Sequence, residues 1–518
     1  MLNTPHHSIK TLGQLKASGW ISRPVKAELR ENMIRKIQLK EALFPGIYGY
    51  DTTVIPQIKH AILARHDILL LGLRGQAKTR LLRSLVNFLD EYLPMIEGSE
   101  LRDDPYQPLS PHGKQMIAQY GDDTPIEWIH RSQRYVEKLA TPDTTVADLV
   151  GDIDPIKAAN RKLDLSSEFV IHYGLVPRSN RGLFAINELP DLQPRIQVAL
   201  LNIMQERDIQ IRGFNLRFPM DVALVFSANP EDYTNRGNII TPLKDRIDSQ
   251  IITHYPKDIE TGLRITEQEA WVDREQDIRI HIPFFIRELV ENIAQEARKS
   301  EYVDQKSGVS ARMTITVMEN IVSAAEHRAI LNGETSTMVR ITDVFHAVPA
   351  ITGKLELVYE GEQEGAVQVA RHLIGKAIAQ VFKQYFPDPE KKSSSKAASS
   401  TKTKASKTTS KTAESRPYDP ILAWFSEGNA IELPDTLASI DYGKRLEQIQ
   451  PLATFVSERF VGEPAEQHVL MDFLLEGLHQ HSMLGKTDLD EVRTFSDMLG
   501  SMLTQLNFED DEDLYSEE

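Results

Sequence analysis

Three stretches of this 518-residue chain pair residue types whose chemistries complement one another. The first is Gly72-Leu-Arg-Gly75-Gln-Ala-Lys78-Thr79, set between the strand-like run Asp67-Ile-Leu-Leu-Leu71 and a helical apolar pattern through Leu82, Leu85, Val86 and Leu89. A strand, a glycine-bearing loop and a helix in that order suit phosphate. Glycines let backbone N–H groups turn inward, the helix N-terminus adds its dipole, Lys78 brings a point charge and Thr79 a hydroxyl ligand for Mg²⁺. Gly72, Gly75, Gln76, Ala77, Lys78, Thr79 and Arg80 would form the cradle. Ala77 stands where the pattern G-x-x-x-x-G-K-[ST] has its second glycine, and taken alone the loop also fits an ordinary βα-turn.

The second stretch is Gly182-Leu-Phe-Ala-Ile186, a buried strand by its composition, ending in Asn187-Glu188. Glu188 suits a general base that orients and deprotonates one water beside a γ-phosphate. Asn187 falls where an aspartate would hold the Mg²⁺ hydration shell; its amide oxygen accepts the same hydrogen bonds but brings no charge. On that reading Asn187→Asp is expected to strengthen the metal site. The third stretch, Val222-Ala-Leu-Val-Phe226, leads to Ser227-Ala-Asn229-Pro230, so Asn229 can reach the attacking water or the γ-phosphate. Downstream, Arg246 lies between acids and Arg312 opens a helical pattern. Such arginines are ordinarily solvated surface groups, and only their order after the earlier stretches makes them candidates for γ-phosphate contact.

The elements that must position these residues follow from apolar spacing. Short apolar runs alternating with longer helical patterns predict an α/β core with a mainly parallel sheet, and from about Ile259 to Phe386 helices take over. The segment Lys391–Lys411, made of Ser, Thr, Ala and Lys, cannot bury a core and reads as a tether. The expected organisation is an N-terminal helical segment (1–34), a nucleotide-binding core (35–256) carrying an insertion at 98–140, a helical domain (257–390), a linker (391–416) and a separate helical C-terminal module (417–518).

Composition narrows the function. No cysteine is present, which removes disulfides, thiolate metal sites and cysteine nucleophiles. The net charge of −16 is concentrated in residues 417–518, where acids outnumber Lys and Arg by 22 to 5, so a polyanion such as nucleic acid is a disfavoured partner. No run is long and apolar enough for a membrane span, and the opening MLNTPHHSIK lacks a basic-then-apolar leader, so a cytoplasmic location is expected. His479 and His481 without further ligands read as ordinary surface histidines.

Taken in order, these motifs resemble the AAA+ ATPases of the magnesium chelatase ATPase subunit and MoxR group over about residues 35–350. Gly75-Gln-Ala-Lys-Thr79 is similar to the MoxR form of the loop, with alanine before the lysine. Asp148-Leu-Val-Gly-Asp-Ile-Asp154, Gly174-Leu-Val, Asn180-Arg-Gly-Leu183, Asn229-Pro-Glu231 and Leu243-Lys-Asp-Arg246 resemble the chelatase side. The resemblance implies an AAA+ P-loop core with an α-helical lid, ATP and Mg²⁺ as ligands, and a homo-oligomeric, commonly hexameric ring. Lys78, Thr79, Asn187 and Glu188 would serve one side of a shared site, Arg246 would be the finger from the neighbour, Arg312 the lid arginine, and the stretch Gly46–Tyr50, Tyr48 within it, would touch adenine. Residues 210–218 and 157–173 would be a hairpin and an insertion that either face the ring axis or are plain surface excursions. The leading function is then an ATP-hydrolysing motor that remodels a partner, expected to carry a von Willebrand A domain. The alternatives are a nucleotide-gated scaffold with little hydrolysis, which Asn187 favours, and a true metal chelatase subunit.

Overall fold

The computed structural model describes residues 8–161, 168–206, 208–209, 218–230, 238–274, 278–389, 417–489 and 492–498. The chain divides into two compact units, Met1–Tyr255 and Pro256–Glu518.

The first unit is built on five parallel strands. Its elements are α1 (Val25–Gln38), α2 (Val54–Leu63), β1 (Ile68–Leu71), α3 (Lys78–Ser84), β2 (Tyr135–Leu139), β3 (Gly182–Asn187), α4 (Pro194–Glu206), β4 (Val222–Ala228), α5 (Thr241–Arg246) and β5 (Ser249–Ile252). The sheet order is β5-β1-β4-β3-β2, with every neighbouring pair parallel. Strands buried on both faces need apolar side chains in both directions, which is why β1, β3 and β4 read as continuous apolar runs. Ile68, Leu70, Leu183, Ala185, Ala223 and Val225 pack on one face with Val54, Ile58, Leu81 and Phe88. Leu69, Phe184, Ile186, Leu224 and Phe226 alternate with them and pack on the other, against Ile196, Leu200 and Leu243. This is the α/β core expected from the sequence.

The N-terminal segment belongs to this unit rather than preceding it. Val25, Leu29 and Met33 of α1 enter the core, and Glu28 of the same helix takes both guanidinium nitrogens of Arg134 at 2.7 and 2.6 Å. Arg134 also donates to the carbonyl of Arg181. Breaking a buried pair of this kind costs about 3–5 kcal/mol, because the remaining charge has no water to return to.

The stretch 98–140, read as an insertion, is bounded differently in space. Tyr92–Ile96 pairs antiparallel with Ile126–His130 as a hairpin, and Tyr135–Leu139 is the edge strand β2 of the core sheet. The excursion therefore begins before residue 98 and ends before 135. Tyr135-Val-Glu-Lys-Leu139, partly exposed along its length and charged at its middle, is harder to separate from a loop than an apolar run.

The second unit contains α6 (Ile259–Glu269), α7 (Phe284–Ala297), α8 (Arg312–Asn332), α9 (Ala366–Tyr385), α10 (Ser439–Glu447) and α11 (Pro464–Gln480). With them goes an antiparallel sheet of β6 (Ile431–Pro434), β7 (Gly485–Leu489) and β8 (Val492–Ser496), in the order β6-β8-β7. The helical C-terminal region is present as expected, with this small sheet in addition. It is separate in sequence but not in packing, since its apolar residues form one core with those of α7, α8 and α9. Phe285 of α7 stacks on Phe473 of α11 at 4.7 Å, and a Cβ at Gly477 would stand 2.0 Å from the Phe382 ring, so α9 and α11 approach as only glycine allows. Polar ties follow the same seam. Arg340 lies 3.9 Å over the Tyr442 ring and donates to the Leu437 carbonyl, and the Tyr442 hydroxyl donates to Asp472, which is bridged in turn by Arg493 at 3.0 Å. Among the described residues no helix is long and apolar enough to cross a membrane.

The shared core predicts the outcome of cutting the chain in its Lys391–Lys411 stretch. Cleavage at an engineered protease site there should leave the two fragments in one complex that co-elutes in native size-exclusion chromatography and separates only in denaturant. Separation in native buffer would contradict the common core.

Candidate nucleotide-binding site

The loop from Gly72 to Ala77 leaves the C-terminal end of β1 and turns into α3. Its course is held by neighbours on the core side. The amide of Gly72 donates to the Ala228 carbonyl at 3.1 Å, and a Cβ on Gly72 would meet Thr253 Oγ1 at 2.0 Å and Gln76 Oε1 at 2.2 Å, so no other residue fits. The Thr253 hydroxyl donates to Gln76 Oε1 at 2.6 Å. The Gln76 side chain therefore braces the loop from outside. Tyr255 donates its hydroxyl to the Arg74 carbonyl at 2.9 Å.

Gly75 and Ala77 both take positive φ, 71° and 55°. The left-handed backbone at Ala77 is what the missing second glycine would adopt freely; alanine adopts it at a cost of roughly 1–2 kcal/mol. The broken motif thus keeps the loop's shape.

One residue of the Gly46–Tyr50 stretch, expected near adenine, anchors this loop instead. Tyr50 is buried, and its hydroxyl lies 2.9 Å from the Gln76 carbonyl and 2.8 Å from that of His254. Burial pushes its ionisation up to about 12, which keeps the hydroxyl a neutral donor. Tyr48, expected near adenine, is half-buried two residues earlier. Nothing in the spacing distinguishes the two tyrosines.

Lys78 is the first residue of α3 and is buried. Its ammonium donates to the carbonyls of Gly72 and Leu73 and, at 2.5 Å, to Asn229 Oδ1. Asn229 follows β4 by one residue, and its Nδ2 donates to Glu188 Oε2 at 2.8 Å. Glu188 follows β3 directly in a left-handed conformation, φ 55°, the kind of local strain that persists only where surroundings enforce it. Three motifs far apart in sequence thus meet through one hydrogen-bonded chain, Lys78–Asn229–Glu188. Thr79, the second residue of α3, is partly buried, and Arg80 is exposed.

Asn187 departs from expectation. Both ends of its buried amide are engaged: Oδ1 accepts from the Ser227 hydroxyl at 2.9 Å, and Nδ2 donates to Glu137 Oε1 at 2.6 Å. Glu137 stands on β2 and is gripped by Arg83 of α3 through Nε at 2.8 Å and Nη2 at 3.0 Å. An aspartate at 187, expected from the sequence to strengthen the site, would stand at hydrogen-bond distance from the Glu137 carboxylate. Glu137 went unnoticed because a lone glutamate in a partly exposed edge strand carries no signal of its own.

Arg246 ends α5 and is exposed, paired with Asp245 at 2.6 Å. Arg312 opens α8 in the second unit, also exposed, its backbone N–H donating to Ser310 Oγ. The first unit holds Arg246 outside the Lys78–Glu188 chain, and Arg312 belongs to the other unit. Residues 210–217 and 162–167, read as parts of an axial hairpin and insertion, lie outside the described residues. His479 and His481 are both partly buried; His479 Nδ1 meets the Leu484 carbonyl, and no metal-holding group of three or more His, Asp or Glu occurs among the described residues.

No known protein-family model matches the chain. An archaeal Lon protease from Thermococcus kodakarensis is 26% identical over 205 residues, 36% of this chain and 30% of that protein, so the chain spans less than a third of the curated relative it matches. Among solved structures, NtrX from Brucella abortus is 12% identical with a TM-score of 0.33, covering 60% of this chain and 56% of NtrX. A chain of the complex between subunits BchI and BchD of magnesium chelatase is 20% identical with a TM-score of 0.29, covering 66% of this chain and 99% of that one. These are likenesses in part of the chain, and none transfers an activity to it. The strand order β5-β1-β4-β3-β2, with a phosphate-type loop between β1 and α3, gives the first unit an open parallel α/β architecture with that loop at the C-terminal edge of its sheet.

Proposed function

We propose that this chain binds ATP with Mg²⁺ in the Gly72–Thr79 loop and hydrolyses it. The observation that carries the reading is the Lys78–Asn229–Glu188 chain, which joins a buried ammonium, a polar strand-end amide and a carboxylate at the C-terminal edge of a parallel sheet. Open α/β sheets bind their ligands at that edge. In the reading, Lys78 meets the β- and γ-phosphates and Asn229 stands between the γ-phosphate and Glu188. Glu188 orients the attacking water and takes its proton as the water oxygen bonds to the γ-phosphorus, and the bond from that phosphorus to the bridging oxygen of the β-phosphate breaks to release ADP. The donors near a cation are all oxygens: the Thr79 hydroxyl, the Glu188 carboxylate and the second lone pair of Asn187 Oδ1, which already accepts from Ser227. That set suits Mg²⁺ held largely by phosphate oxygens and water.

The finer reading is an AAA+ ring motor of the magnesium chelatase and MoxR kind, homo-oligomeric, cytoplasmic, and acting on a protein partner with a von Willebrand A domain. The motif order described above supports it, as does the exposure of Arg246, which leaves its guanidinium accessible to a neighbouring subunit. A helical second unit in which Arg312 opens a helix suits a lid. A second reading, a nucleotide-gated scaffold that turns over little, draws support from Asn187, whose amide brings no charge to the cation.

Lys78→Ala should abolish ATP binding in calorimetry, because the loop would then oppose phosphate charge with backbone dipoles alone. Glu188→Gln should bind ATP normally and lose steady-state phosphate release by about 10²–10⁴-fold, the usual worth of a general base. Unchanged affinity in the first variant would refute the loop assignment, and unchanged phosphate release in the second would favour the scaffold.

Arg246→Ala should lower turnover by about 10³–10⁵-fold while leaving ATP affinity intact, as a finger supplied in trans does. Mixing inactive Arg246→Ala and Lys78→Ala subunits should restore part of the activity, because some interfaces then combine an intact loop with an intact arginine. Assemblies shown to be mixed yet still inactive would count against a shared site.

A further inference from the structure

Position 187 lacks the acid that the metal chemistry calls for, and an acid is found on the neighbouring strand. We propose that Glu137 is the positioning residue of this site, and that residues 137 and 187 work as a matched pair of one acid and one amide; the proposal rests on the ATP and Mg²⁺ reading above. In the β2–β3 register Leu139 lies opposite Asn187 and Glu137 opposite Ala185, so 137 shares a face with 139 and 185 with 187. The Glu137 side chain needs to reach two residues along the ladder to the strand end, and it does so with Oε1 at 2.6 Å from Asn187 Nδ2.

The chemistry of that contact sets an orientation. An ionised carboxylate only accepts hydrogen bonds, so Asn187 must turn its NH₂ toward Glu137 and its carbonyl oxygen the other way. There Oδ1 accepts from the Ser227 hydroxyl, whose oxygen is 3.4 Å from the backbone N–H of Glu188. Arg83 holds Glu137 through two parallel N–H···O bonds, the geometry that fixes a carboxylate in direction as well as place. The result is a continuous path, Arg83–Glu137–Asn187–Ser227–Glu188. It joins the helix that begins with Lys78 and Thr79 to the residue placed as the base. The half-exposed Arg83–Glu137 pair adds little stability by itself, so its worth lies in this orientation.

The pairing also explains the residue at 187. Two ionised carboxylates set at this separation have no hydrogen between them to share and repel each other, so one must turn away. An acid at 137 excludes an acid at 187. The exchanged arrangement, with E137Q and N187D made together, would be equivalent, because the glutamine NH₂ can donate to the aspartate.

The test compares wild type, E137Q, N187D and the double variant E137Q/N187D as full-length proteins. Two quantities are read: the gain in ATP affinity on replacing EDTA by Mg²⁺, and the thermal midpoint without nucleotide. E137Q should lose about 10- to 100-fold of the Mg²⁺ gain, the usual effect of removing a group that orients a metal ligand, with its affinity in EDTA unchanged. N187D should melt about 2–4 °C lower, the shift that 1 kcal/mol of repulsion produces in a unit of this size. The double variant should recover both quantities toward wild type. An unchanged Mg²⁺ gain in E137Q, or a double variant no better than the worse single one, would overturn the matched pair. Failure of wild type itself to bind ATP in either condition would instead overturn the nucleotide reading. The nucleotide-free melting series still decides the pair in that event: recovery in the double variant supports it and additive losses refute it.

Discussion

Parallel pairing places Leu71 opposite Ala228 and Phe226 opposite Ile186, and the candidate site depends on that register more than on any single contact. Parallel strands present all their C-terminal ends at one edge, so the residues just beyond β1, β4 and β3 emerge together: Gly72, Asn229 and Glu188. The ladder runs on past β1, with the Gly72 amide bonded to the Ala228 carbonyl and the Thr253 amide to the Leu71 carbonyl. The loop therefore starts from a fixed point between two strands. A slip of one residue in either pairing would point Asn229 or Glu188 at the opposite face and uncouple them from Lys78.

Burying polar groups at this edge is tolerable because they satisfy one another. Lys78, Asn187 and Asn229 are all buried, and each is hydrogen-bonded to a carbonyl, an amide or a hydroxyl of the same cluster. Leaving any one unmatched would cost about 1–3 kcal/mol, more for the charged group. At the opposite end of the strands the same logic ties α1 to the sheet through Glu28 and Arg134. Asp221 belongs to that end as well, accepting from the Val25 amide while burial raises its ionisation to about 6.

The second unit uses its polar residues in another way. Arg340, Tyr442, Asp472 and Arg493 join segments from both sides of the Lys391–Lys411 stretch within a shared apolar core, so an acidic surface and a buried ionic seam coexist in one body. Desolvation of Arg493 is offset by Asp472 and Glu476, both fully buried, and their charges hold its guanidinium firmly protonated. Charge counted along the chain marks the acidic region and says nothing of which acids are interior.

Local order along the chain determined the phosphate loop, the carboxylate after β3 and the polar residue after β4, because each sits at a junction of an apolar run with a polar stop, and such junctions are written in consecutive residues. The α/β class and the helical second half were legible for the same reason, since hydrophobic period is a local property. Tertiary structure alone decided what lies across from those junctions. Tyr50 against the loop, Thr253 against Gln76 and Glu137 against Asn187 are pairings between segments tens to hundreds of residues apart, and no spacing within one segment encodes them. The extent of the excursion before β2 and the common core across residues 390–416 were hidden likewise. A partly exposed edge strand and a helix with an apolar face each need a partner, and only the folded chain shows which surface supplies it.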